Sequence, residues 1–114
     1  MKLPNLENLV VPRAKVFDYL LSPTHRDGQH KAKFFARFGL TQDNWQELGE
    51  LLRQHALDHE ITKVEPSEFG TRYVLEGIMN MPDGRTVPMR TVWFVSDAQD
   101  DPRFVSAYPL RWNA

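Results

Sequence analysis

The chain contains no cysteine, which excludes a disulfide framework, a thiolate metal site and a thiol nucleophile together. No apolar run approaches the ~20 residues needed to span a bilayer. The opening stretch MKLPNLENLVVPRAK places Pro4, Asn5, Glu7 and Asn8 where a secretory leader needs an unbroken apolar core. These absences point to a reducing cytoplasmic location and to no membrane partner. An excess of one charge is also missing, since 14 Lys and Arg stand against 15 Asp and Glu for a formal net charge of -1. No global field draws in a polyanion, so RNA or any other polyanionic partner has to be held by a local patch. There is no Gly-rich phosphate loop, and the glycines of FGTRYVLEG fall at strand positions where bulges or close packing account for them. Ser67, Ser96 and Ser106 lack a nucleophile-elbow context, which argues against a serine hydrolase.

What is present suits one globular domain over residues 1–114, with 41% hydrophobic and 25% charged residues. The first half has helical spacing. Pro12 fits a first helical turn, and Val16, Phe17, Leu20 and Leu21 then share a face until Ser22-Pro23 ends the helix. Asp27 is placed to cap a second helix, with Phe34, Phe35 and Phe38 inward and Gly39 available for a left-handed end. Thr41 is a good cap for a third helix, where Trp45, Leu48, Leu52 and Ala56 recur at helical spacing.

From Ile61 the period drops to two. TRYVLEGIMN and RTVPMRTVWFV flank MPDGR, whose Pro-Asp-Gly turn predicts an antiparallel hairpin. EITKVE before it and RFVSAYP after the acidic loop SDAQDDP supply two further strands. The expected architecture is α+β, about three N-terminal helices packed on one face of a C-terminal, mostly antiparallel sheet of about four strands.

Four histidines raise the question of a metal. His55 and His59 stand four apart in RQHALDHE, yet no Glu follows the first His and no third ligand is evident. Exposed or partly packed histidines near a helix C-terminus are the reading, with no metal and no cofactor. The stretch SPTHRDGQHKAKFFARFG differs in kind, gathering His25, Arg26, His30, Lys31, Lys33 and Arg37 around the single acid Asp27. A phosphate at the start of that helix would meet Lys31, Lys33 and free backbone N–H groups at the positive end of the dipole. The alternative is a solvated face whose lysine stems cover Phe34 and Phe35. In VPMRTVWFV, alternation puts Arg90 beside Val92 and Phe94, where it calls for an anion or a carboxylate. In RFVSAYP, alternation gives Phe104, Ser106 and Tyr108 one face. If these meet Lys31 in one cleft, His25, Lys31, Arg90, Ser106 and Tyr108 form a catalytic set for a phosphodiester, with Lys31, Lys33 and Arg90 binding phosphate and His25 moving a proton.

The stretches KLPN, VVPRAKVFDYLLSPTH, GQHKAKFF, GLTQDNWQEL, TRYVLEG, PDGR, RTVW and PRFVSAYP resemble a small bacterial family catalogued only as a domain of unknown function. The resemblance covers nearly the whole chain and implies weight at His25, Gly28, Lys31, Phe34, Phe35, Gly77, Arg90, Tyr108 and Pro109. His30 stands where that family has a small polar residue, and Ser106 where Thr is common. More remotely, helices leading into a sheet that ends in VSAYP are similar to the barnase, EndoU, colicin and RelE type of ribonuclease toxin. That second resemblance implies metal-independent RNA cleavage, the 2′-hydroxyl attacking the adjacent phosphate. Two other readings stand beside it: a non-catalytic partner module of immunity or antitoxin type, favoured by the near-neutral charge and DAQDD, and a binder of a small anionic ligand.

Overall fold

In the computed structural model, residues 1–110 are described, and they follow the helix-then-strand order expected. A short helix α1 (Arg13–Lys15) runs into a π-helical turn (Val16–Leu20), followed by α2 (Gln29–Ala36) and α3 (Trp45–Asp58). Four strands come next: β1 (Ile61–Ser67), β2 (Gly70–Asn80), β3 (Thr86–Ser96) and β4 (Arg103–Pro109). They pair antiparallel in the order β1-β2-β3-β4, a meander in which each connection is local. The arrangement is α+β.

Local chemistry explains most boundaries. Gly39 and Gly84 adopt φ of 80° and 89°, closing α2 and the β2–β3 turn as the sequence predicts. In that turn the Asp83 carboxylate accepts the Arg85 N–H at 2.9 Å, and Met81 N–H donates to the Arg85 carbonyl at 2.8 Å. The expected Thr41 cap is displaced by one turn. Gln42–Asn44 form a 3-10 turn ahead of α3, and the Asn44 side chain accepts from Thr41 N–H at 2.8 Å while donating to the Gly39 carbonyl at 2.9 Å.

The helices cover one face of the sheet. Val16, Leu20, Phe35, Leu48, Leu52 and Ala56 pack against Leu75, Met89, Trp93, Phe104 and Ala107, all fully or almost fully buried. Removal of these apolar surfaces from water is the dominant favourable term, at about 25 cal/mol per Å². On β3, Met89, Thr91 and Trp93 face the helices, so Arg90, Val92 and Phe94 face away, in line with the alternation. β4 breaks its alternation. Trp93 pairs with Phe104 and Val92 with Ser106, leaving Val105 as an extra residue. Phe104 therefore turns into the core, its ring 5.4 Å from that of Trp93 at 74°, while Ser106 and Tyr108 turn the other way. The expectation that all three share a face fails on this bulge.

His55 corrects a second expectation. It is 2% exposed and lies between α3 and the sheet rather than in solvent. Its Nε2 faces the carbonyls of Gly77 and Met89, both at 3.1 Å, so Nε2 carries the proton. Trp93 Nε1–H donates to Thr91 Oγ1 at 3.0 Å, and the Thr91 hydroxyl in turn donates to His55 Nδ1 at 3.0 Å. Every polar hydrogen in this buried row has an acceptor. His59 also turns to backbone, Nε2 to the Ile78 carbonyl at 2.7 Å.

Burial lowers the His55 pKa below the ordinary 6.5, against the raising effect of the Gly77 and Met89 carbonyls. The folded state thus refuses a proton that the unfolded state accepts, so stability is full above about pH 6.5 and declines as pH falls below it. The expected limit is about 1.4 kcal/mol per pH unit. Urea midpoints measured from pH 8 to pH 5 should show this decline in the parent protein and lose it in His55→Gln.

Candidate functional site

The site grows from the π-helical turn. Leu21 N–H donates to the Val16 carbonyl at 2.9 Å, five residues back, which widens the helix by one residue. This sets Tyr19 beside the start of α2 rather than along the regular helical face. The approach is close: a Cβ on Gly28 would lie 2.0 Å from the Tyr19 carbonyl oxygen, so only glycine fits there. His25 completes the junction. Its Nδ1 accepts the N–H groups of Asp27 and Gly28 at 2.9 and 3.0 Å, and its ring meets that of Tyr19 edge-on at 5.1 Å.

Three side chains then meet across the α2–β4 boundary. Lys31 donates from Nζ to Tyr19 Oη at 2.6 Å and to Ser106 Oγ at 2.9 Å. Tyr19 Oη and Ser106 Oγ are themselves 3.1 Å apart and share a hydrogen. The same ammonium lies 3.9 Å from the centre of the Tyr108 ring, a cation held by one aromatic face and by the hydroxyl end of Tyr19. Ser106 is 4% exposed, delivered to this contact by the bulge before it. Lys15, Tyr19, His25, Val105, Ser106 and Tyr108 line an open hollow of about 340 Å³.

Its surroundings make Tyr19 more acidic than an ordinary phenol. Burial raises its pKa, but hydrogen bonds with Lys31 and Ser106 and the positive charges of Lys31 and Lys15 outweigh that, so the pKa is lowered from the usual 10.0. Once deprotonated, a phenol bonded to an ammonium and a hydroxyl can accept a proton from a substrate hydroxyl. The adjacent cations can hold negative charge on a bound group.

His25, Lys31, Ser106 and Tyr108, expected from the sequence, come together here. Arg90 and Lys33 do not. Arg90 lies on the uncovered sheet face, its Nε and Nη2 on Glu76 Oε2 at 2.7 and 2.6 Å, supplying the carboxylate its apolar neighbours called for. Lys33, two residues after Lys31, is turned about 200° around the helix and borders a separate hollow with Leu21, Pro23 and Ala36. At the start of α2 the Gln29 N–H donates to the His25 carbonyl at 3.0 Å. Asp27 does not cap that helix; the His25 ring takes the N–H groups of Asp27 and Gly28, just ahead of the first helical residue. With Nδ1 accepting these two N–H groups, His25 carries its proton on Nε2.

Tyr19 and Lys15 are the residues that sequence reading passes over. Tyr19 is off the apolar face of a regular helix, and nothing in VFDYLLS announces the wide turn that redirects it.

A helix-then-meander α+β fold carrying a Lys–Tyr–Ser cluster at its last strand defines the class. The family model described as "Domain of unknown function (DUF6883)" matches residues 2–111, and the chain belongs to that family. No curated protein matches it. Among solved structures, a chain of the contact-dependent growth inhibition toxin–immunity protein complex from Klebsiella pneumoniae 342 is similar at a TM-score of 0.73 and 24% identity, over 94% of this chain and 97% of that one. That likeness is one of fold.

Replacing Lys31 by Met removes a hydrogen bond and a charge that lower the Tyr19 pKa. The phenol's titration, read by ultraviolet absorbance against a Tyr19→Phe control, should move to higher pH. A separate test of the junction is Gly28→Ala, expected to cost about 1–3 kcal/mol in chemical denaturation because the new methyl meets backbone.

Proposed function

We propose that the chain is one member of a toxin–immunity pair, held by a cognate protein partner, and that its hollow cleaves RNA without a metal ion. The observation that carries this reading is the Lys31 ammonium bonded at once to the Tyr19 phenol and the Ser106 hydroxyl beside an open hollow. The fold shared with a chain of a toxin–immunity complex supports the pairing. In the reaction, the Tyr19 phenolate takes the proton of a ribose 2′-hydroxyl, whose oxygen attacks the adjacent phosphorus. The bond to the 5′-oxygen breaks, and water in the open hollow protonates that leaving oxygen. The products are a 2′,3′-cyclic phosphate and a 5′-hydroxyl. Lys31 and Lys15 neutralise the charge that builds on the phosphoryl oxygens, a task a metal ion performs elsewhere. Ser106 fixes the phenol, and His25 Nε2–H donates to the phosphate.

The second reading is the immunity side of such a pair, a non-catalytic module that docks on a partner. The similar solved chain belongs to a complex of both kinds of protein, which favours partner binding whichever role the chain plays.

Incubation of the pure protein with total RNA in EDTA at low salt separates the two. Discrete fragments ending in 2′,3′-cyclic phosphate support cleavage; no fragments, with a stable complex formed by a cognate toxin, support the immunity role. The rate should rise with pH through the lowered Tyr19 pKa, because the base acts only when deprotonated. Tyr19→Phe should lower it by about 10²–10⁴-fold with no loss of fold, and Lys31→Ala should abolish it.

A further inference from the structure

The sheet face that the helices leave uncovered holds a shallow groove of about 430 Å³, bordered by Lys63, Glu65, Arg72, Glu76, Arg90 and Tyr108. Its charges are mutually paired. Glu65 lies 3.6 Å from Lys63 and 3.5 Å from Arg72, while Arg90 holds Glu76 through both Nε and Nη2. Pairing register sets Glu76, Arg90 and Tyr108 in one row across β2, β3 and β4. Tyr108 borders this groove and also the hollow lined by Lys15, Tyr19, His25 and Ser106, with the Lys31 ammonium 3.9 Å from its ring centre. The order along the row is therefore carboxylate, guanidinium, aromatic ring, ammonium.

Arg90 is about half-exposed, and its guanidinium carries five donors of which Glu76 engages two nitrogens. An exposed pair of this kind is weak, so a phosphate oxygen can displace the carboxylate. We propose that Arg90 seats the phosphate next to the scissile one on a single RNA strand, and that Glu76 is an electrostatic gate that occupies Arg90 until RNA displaces it. This rests on the RNA-cleavage reading and adds to it a strand path and a preference for unpaired RNA. Tyr108, 38% exposed and lying between the two cations, gives an unpaired base a ring on which to stack. Neutralising Glu76 leaves Arg90 open before RNA arrives.

The test measures binding of a 2′-O-methyl single-stranded RNA oligonucleotide by fluorescence anisotropy at several salt concentrations, since this probe lacks the attacking hydroxyl. Glu76→Gln should tighten binding by about two- to fivefold and steepen the log–log salt slope by about 0.7. Adding Arg90→Ala to it should cancel both effects. Glu76→Thr, neutral and suited to a strand, should match Glu76→Gln and guards against an effect of one side chain. If the parent protein binds the probe and Glu76→Gln binds it equally, or if the double variant keeps the tightening, the gate is overturned while RNA recognition stands. If the parent protein and every variant fail to bind, the gate falls together with the RNA reading.

Discussion

The fold hangs on the buried row that runs from the Trp93 indole through Thr91 and His55 to the carbonyls of Gly77 and Met89. It crosses from β3 to α3 and back to β2 and β3, fixing the long helix on the sheet at one depth and one rotation. An apolar contact would tolerate sliding; this row does not, because any shift leaves a donor or acceptor buried without a partner. Once α3 is so placed, the sheet has a covered face and a bare one. The bare face is the only side on which Arg90, Glu76 and Tyr108 can stand.

The second determinant is a pair of one-residue irregularities. The wide turn at Val16–Leu20 and the bulge at Val105 lie on either side of Lys31, and each redirects one oxygen toward its ammonium. Regular elements would put Tyr19 on the helix flank and give Ser106 the face of Phe104. The cluster thus comes from deviations in two elements that are far apart in sequence and held together by the Gly28 junction and the core.

This explains what the sequence discloses. Period-two alternation, the Pro-Asp-Gly turn and helical spacing each depend on neighbours within a few residues. The four strands, the hairpin, the three helices and the shared side of Arg90, Val92 and Phe94 were legible for that reason. Lys31, Ser106, Tyr108 and His25 were legible as residue types, but the placement of the His25 ring was not. A ring that accepts backbone N–H groups at a helix junction is indistinguishable in sequence from one that faces solvent. Tyr19 was hidden because pattern reading assumes 3.6 residues per turn, and burial of His55 was hidden because its partners come from strands 22 and 34 residues away. Arg90 was drawn toward Lys31 by its charge, although Glu76 sits directly across from it on β2.

The wide turn at Val16–Leu20 also makes the chemistry a matter of residue count. Loss of a single residue there would let the segment relax to an ordinary helix and swing Tyr19 by about 100°, away from the ammonium, with every reactive side chain still encoded. A one-codon deletion would therefore dissolve the cluster, and alignment by residue type alone would score the altered chain as intact.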